Sequence, residues 1–187
     1  MKRIIVASGN KGKLKEIKEI FSDFEVIPMK DLGIELDTIE DQDTSAGNAI
    51  KKGKELSALI GEAVIADDSG IYIGSLNGFP GVRTKRWLDG TDRQRNLGII
   101  EKLEGKEDRS CKFLTAIAYV DVKNNIEIVK EHIINGIITK SPRGENGFGF
   151  DEIFELPSGK TIAELSDEEK NKISPRKFAL EEIKKCL

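Results

Sequence analysis

The stretch "IIVASGNKGKLKEIKEIF", residues 4–21, sets the frame for the rest of the chain. It opens on an apolar run rich in Ile and Val, the composition of a strand buried on both faces, and the strand is expected over 2–8. Leu14, Ile17, Ile20 and Phe21 then recur at spacings of three and four, which makes 12–21 an amphipathic helix. Between the two lies the small polar turn Ser8-Gly9-Asn10-Lys11-Gly12-Lys13. Open α/β sheets bind ligands at such strand ends. Glycine lets backbone N–H groups approach an anion, and a helix N-terminus adds orphan donors and partial positive charge. Lys11 and Lys13 supply full charges. GxxxxGK[ST] is absent, so this is not a Walker A loop. The same six residues also serve as a plain β-to-α connection with solvated lysines, and the turn alone leaves both readings open.

Outward from this unit the pattern repeats. A short strand is expected at 24–29, an acidic loop at 30–44, and a helix at 45–60 with Thr44 or Ser45 as N-cap. "EAVIADDSG" (62–70) reads as a strand ending on two aspartates, and "LNGFPGVR" (76–83) as a turn-rich loop. A helix over 92–104, capped by Gly105, precedes a long hairpin, 110–122 and 126–139, around Lys123-Asn124-Asn125. Residues 141–154 are glycine-rich and irregular, and a last helix starts near Pro175. Repeats, low-complexity tracts and long linkers are lacking. Alternating β and α elements around a central hairpin give an α/β fold with a mixed sheet.

The composition narrows the function. In 187 residues, 38% hydrophobic and 34% charged, 30 Lys and Arg face 33 Asp and Glu, for a net charge of −3. That size fits one large domain or two lobes sharing a sheet. The charge argues against a general nucleic-acid binder but leaves room for a local basic pocket. The opening apolar run is too short for a signal peptide, and no run approaches a membrane span, so a cytoplasmic protein without membrane attachment is expected. Cys111 and Cys186 lie far apart with no CxxC, which disfavours a disulfide scaffold or zinc site. His132 is the single histidine, which removes most histidine-based catalysis.

Four further segments could carry chemistry. In Asp67-Asp68-Ser69-Gly70, neighbouring strand residues face opposite sides, so one aspartate can enter a site while the other supports the backbone. A carboxylate there suits Mg²⁺ or the activation of a water; an Asp-rich turn bonding its own backbone uses the same residues. Glu40-Asp41-Gln42-Asp43 is a solvated acidic loop unless the fold brings a carboxylate near Asp68. Phe148-Gly149-Phe150-Asp151 can offer one ring to stack a base and bury the other, or form a core strand with a glycine bulge. Ser174-Pro175 is helix-start chemistry. Lys170, Arg176 and Lys177 are either a solvated basic face or donors for a base carbonyl or phosphates.

Taken in order, "SGNKGK", "ADDSG", "LNGFPG", "GFGFD" and "KTIAELSDEEKNKIS" make residues 4–180 resemble the inosine triphosphate pyrophosphatase family, also described as dITP/XTP pyrophosphatases. The resemblance implies an elongated, two-lobed α/β fold around a long mixed β-sheet flanked by helices. It implies one domain over 1–187, an active cleft between the lobes, and a homodimer. The implied reaction is Mg²⁺-dependent hydrolysis of the purine nucleoside triphosphates ITP, dITP or XTP between the α- and β-phosphates, giving monophosphate and pyrophosphate. By the same resemblance Ser8, Gly9, Asn10 and Lys13 match the phosphate loop, in which Lys11 and Gly12 also lie. Asp68 matches the catalytic carboxylate, which also helps hold the metal, and Ser69 a substrate-contacting position. Glu40, seven residues before the E-N-A glutamate position, falls where the family places its metal-binding glutamate. Phe148, Gly149, Phe150 and Asp151 match the nucleobase segment, and Lys170 and Arg176 the basic residues that close over the base. Arg86 matches an arginine after the glycine-proline loop less closely.

The charges are consistent with this. A triphosphate carries about four negative charges, which Lys11, Lys13 and Mg²⁺ would offset against Asp68 and Glu40. Lys170 and Arg176 are pure donors, suited to the 6-carbonyl of hypoxanthine or xanthine and not to an adenine amino group. The chain departs from the family pattern at three places. Gly47-Asn48-Ala49 stands for E-N-A, removing a carboxylate that Glu40 or Asp43 is left to replace. Pro175 stands for the histidine of S-H-R, removing a donor from the substrate-binding set. Arg83 stands where an aromatic or small polar residue is common. These departures keep two alternatives in view: a nucleotide-binding or sensing protein with impaired catalysis, or a pyrophosphatase for other modified nucleotides.

Overall fold

The computed structural model describes residues 2–187. The elements are β1 (Lys2–Val6), α1 (Lys11–Ile20), β2 (Phe24–Pro28), α2 (Ser45–Ile60), β3 (Val64–Ile73), β4 (Pro80–Gly81), α3 (Asp92–Lys102), β5 (Ser110–Asp121), β6 (Ile126–Ile138), β7 (Phe154–Glu155), α4 (Asp167–Ile173) and α5 (Pro175–Lys184). Among the described residues the sheet has seven strands in the order β2-β1-β3-β5-β6-β7, with β4 on β3. β1 runs parallel to β2 and β3, whereas β3–β4 and β6–β7 are antiparallel, so the sheet is mixed as expected. The chain divides into two compact units: residues up to Ser69 with Thr115–His132 and Pro175–Leu187, and Gly70–Leu114 with Ile133–Ser174.

The first unit is built on the opening strand. Ile4 and Val6 pack with Ile17 and Phe21 of α1 and with Ala179, Leu180 and Ile183 of α5. Ile5, on the other face, packs with Leu56 of α2 and Val64. Helices thus cover β1 on both sides, which is why its sequence is continuously apolar. Each buried aliphatic side chain of this size contributes about 1.5–3 kcal/mol. α2 begins and ends where the sequence places it. Thr44 Oγ1 accepts the Gly47 N–H at 3.0 Å, and Gly61 closes the helix in the left-handed region.

One expectation is corrected here. β3 does not end at its aspartates but runs through Asp67-Asp68-Ser69-Gly70 to Ile73. The aspartates sit in mid-strand, within a strand paired in the sheet, and both carboxylates meet cations from other elements.

The second unit has its own core of Ile71, Ile73, Ile99, Leu103, Phe113, Ile138, Phe150 and Phe154. Thr91 and Gln94 form a reciprocal capping box at the start of α3. α4, absent from the sequence reading, starts on another, Ser166 with Glu169. Cys111 is buried in this core and burial pushes its thiol up to about 12; Cys186 is exposed, and both are free. Among the described residues no helix is long and apolar enough to cross a membrane.

Candidate active site

In the first unit Asn10 caps α1. Its Oδ1 accepts the Lys13 N–H at 3.1 Å, while Ser8 Oγ accepts the Asn10 N–H at 3.2 Å. The turn Ser8–Lys13 is therefore a preformed helix N-terminus, with the first-turn amides oriented toward its mouth. A third lysine, which the sequence reading did not single out, joins Lys11 and Lys13. A Cβ on Gly9 would stand 3.2 Å from Lys30 Nζ, so this ammonium lies over the turn.

Asp67 and Asp68 diverge as adjacent strand residues should. Asp67, fully buried, is held between Lys13 Nζ and Arg176 Nε, the latter at 2.6 Å. Burial alone would raise its pKa, but Arg176 and Lys13 outweigh burial and hold the carboxyl well below the usual range. Lys13 is shifted down by its own burial, reinforced by Arg176 and Lys52 and only partly opposed by Asp67. The Arg176 guanidinium also reaches Glu16 at 3.1 Å and Ser69 Oγ at 3.2 Å, and Ser69 Oγ lies 3.0 Å from Thr115 Oγ1. Arg176, expected with Lys170 over a base, is thus engaged inside the first unit at 3% exposure. Pro175, at the head of α5, is buried as well.

Asp68 faces Lys52 on α2, a second residue that the sequence reading missed. Lys52 Nζ lies 2.6 Å from Glu40 Oε1, 2.7 Å from the Asp67 carbonyl and 3.3 Å from Asp68 Oδ1. The acidic loop therefore does bring Glu40 to Asp68, through a shared ammonium. Burial is the main cause of a raised Asp68 pKa, Lys52 opposes it, and Glu40 adds to it. Asp68 Oδ2 is buried without a hydrogen-bond partner. Two neighbouring carboxylates, one with an unused buried oxygen, suit Mg²⁺, which takes one or two protein carboxylates and completes its shell from phosphates and water. Among the described residues no cluster of three or more metal-ligating side chains occurs.

The place of the expected E-N-A glutamate is filled from the loop. A Cβ on Gly47 would stand 2.9 Å from Gln42 Cβ, so Gly47 admits Gln42 against the first turn of α2. The Gln42 N–H donates to Asn48 Oδ1 at 3.0 Å, and Lys51 Nζ donates to the Ile39 carbonyl at 2.7 Å and to Asp41 at 2.8 Å. One face of α2 therefore holds the loop that carries Glu40.

In the second unit Phe150 is the buried ring, edge-on to Phe113 at 4.8 Å, while Phe148 is half-buried. Asp151 Oδ2 accepts the Phe148 N–H at 3.0 Å and pairs with Lys170 Nζ at 2.8 Å. That ammonium stands 4.6 Å from the centre of the Phe148 ring. Phe150 is thus spent on the core, while Phe148 stays half-buried beside the Lys170 ammonium.

On this α/β fold the first unit carries a lysine-lined strand-to-helix turn and a raised carboxylate beside a lysine, and the second carries an aromatic–lysine pair. The comparison with known proteins is more specific: residues 4–186 match the Ham1 family model, and the chain belongs to the Ham1 family. It is 42% identical to the dITP/XTP pyrophosphatase of Caldanaerobacter subterraneus subsp. tengcongensis, covering all of this chain and 96% of that one. It is 39% identical to the dITP/XTP pyrophosphatase of Bacillus subtilis, covering 100% and 98%. Among solved structures, a HAM1 protein from Coxiella burnetii superposes with a TM-score of 0.91 at 37% identity, covering 100% of this chain and 98% of that one.

Proposed function

We propose that this protein is a Mg²⁺-dependent pyrophosphatase of deaminated purine nucleoside triphosphates, ITP, dITP and XTP. It breaks the α–β phosphate linkage with water to release the monophosphate and pyrophosphate. The observation that carries the reading is Asp68: a buried carboxylate with a raised pKa, one oxygen on Lys52 and the other without a partner, in the same unit as the phosphate turn. A carboxylate displaced upward is a better proton acceptor near neutral pH, and its unused oxygen is the one to orient a water. Ser8–Lys13 binds the phosphate tail, with Lys13 and Lys11 as its cations. Glu40 and Asp68 would hold Mg²⁺, which when bound would neutralise phosphate charge. Phe148 stacks the base and Lys170 donates to its 6-carbonyl. Lys52 keeps the Glu40 and Asp68 carboxylates together. The reading also takes the protein to be cytoplasmic and a homodimer, and light scattering of the purified protein would test the dimer.

The decisive experiment supplies ITP, XTP, ATP and GTP with Mg²⁺ and identifies the products. Monophosphate and pyrophosphate from ITP and XTP are expected; orthophosphate as the first product overturns the reading. Asp68→Asn is expected to abolish turnover while nucleotide still binds, and surviving turnover removes Asp68 from its role.

A further inference from the structure

α3 opens on Asp92 and reaches Asn96 one turn later, so the two side chains lie on one face of the helix. Both reach the same residue, although the other Asp92 oxygen accepts from Arg95 Nη2 at 2.7 Å. Asp92 Oδ2 accepts the N–H of Gly149 at 3.0 Å, and Asn96 Nδ2 donates to the carbonyl of Gly149 at 2.8 Å. Asn96 is 2% exposed and also donates to Glu152 Oε1 at 2.9 Å. Gly149 has φ +66°, a backbone conformation that side-chain-bearing residues rarely adopt. It lies outside every strand and helix, so its N–H and carbonyl are met by side chains instead of by a backbone ladder. On one side of it stands Phe148, tied by its N–H to Asp151; Asp151 in turn holds Lys170, and Lys170 lies over the Phe148 ring.

We propose that Asp92 and Asn96 are positioning residues for base selection: they clamp the two peptide groups of Gly149 and so fix the Phe148 ring and the Asp151–Lys170 pair as one rigid recognition face. The inference rests on the reading of Phe148–Asp151 as the base segment. A loop without regular structure holds a ring in place only if its backbone is tied to a rigid element. Here the tie is two-sided, and the same face of α3 is sunk in the core one and two turns further on, through Ile99 and the capping residue Leu103. The clamp also consumes the N–H and carbonyl of Gly149. A ligand is left the ring and the lysine to read, which makes the recognition depend on their orientation.

The test is steady-state kinetics on ITP and XTP together with inhibition by inorganic pyrophosphate, a product that has no base. Asn96→Ala and Asp92→Ala are expected to raise KM for both nucleotides about tenfold or more, with kcat less affected and the pyrophosphate inhibition constant unchanged. Asp92→Asn keeps an acceptor for the Gly149 N–H and is expected to stay within about twofold of the parent protein. Should the Asn96 variant fail to fold, the two Asp92 variants carry the same contrast. An unchanged KM in Asp92→Ala or Asn96→Ala, or a parallel change in KM and pyrophosphate inhibition, overturns the clamp. Phe148→Ala separates the two claims: if it leaves KM unaltered, the base segment has been misread, whereas a raised KM there with unaffected clamp variants condemns the clamp alone.

Discussion

Lys13 and Arg176 converge on Asp67, while its neighbour Asp68 meets Lys52 and the Ser45 hydroxyl and keeps one oxygen without a partner. The two carboxyls therefore respond to pH in opposite senses. Asp67 is depressed, so its contribution to stability is complete above the ordinary carboxylate range, about 4, and is lost only as pH falls through its lowered value. The stability gap between the parent protein and Asp67→Asn is expected to be wide at neutral pH and to narrow in acid, as urea midpoints across a pH series would show. Asp68 is raised, so its ionised form costs the fold something that is relieved as pH falls. Asp68→Asn is accordingly expected to keep or raise the melting temperature at neutral pH while losing turnover, and the acid limb of kcat/KM in the parent should lie above about 4. Removing one partner of a buried ion pair is a larger loss. Arg176→Ala is expected to cost about 3–5 kcal/mol in urea unfolding, because it leaves the buried Asp67 with Lys13 alone and takes the guanidinium from Glu16. Lys170→Ala, at a more exposed pair, should cost far less and act on KM. The sequence made Arg176 and Lys170 look alike, two basic residues six apart. What separates them is which carboxylate each meets, and Asp67 lies 109 positions from Arg176.

At the scale of elements, α2 is the best example of what local sequence can decide, since its cap, its length and its glycine stop are all nearest-neighbour matters. What it grips was not legible. Gly47 reads as a missing carboxylate, yet it makes room for Gln42 and so for the loop that delivers Glu40 to Lys52. Gly47→Ala gains about 1 kcal/mol of helix propensity but pushes Gln42 aside. The expected result is a nearly unchanged melting temperature with a higher Mg²⁺ concentration for half-maximal activity, measured by metal titration of the rate. β3 shows the opposite failure. Asp-Asp-Ser-Gly has turn composition, yet sheet pairing carries the strand through it, and cations arriving from α1, α2 and α5 meet its carboxylates. α4 was readable after all: its apolar pattern is nearly absent, but the Ser166–Glu169 capping box is written in the sequence.

For the whole molecule, composition and the alternation of elements were enough to foresee an α/β chain with a mixed sheet, because periodicity records which faces are buried. The division of the core into separate clusters is a matter of long-range packing and left no such record. Ile17 and Ile99 belong to different clusters and are both about fully buried. Ile17→Ala and Ile99→Ala are each expected to cost about 2–5 kcal/mol, and the double variant to cost their sum within about 0.5 kcal/mol. A large deviation, read from chemical unfolding, would mean that the clusters share partners.

The ion pair between Lys13 and Asp67 has a consequence for the end of the catalytic cycle. On the proposed function, the lysine assigned to the phosphate tail already has a resident anion, so an arriving triphosphate would have to win it from an internal rival. The same rival would stand ready afterwards: once cleavage had split the tail into two smaller ions, Asp67 could reclaim the ammonium. Substrate would then be held against a competitor built into the fold, a competition that would favour product departure over retention.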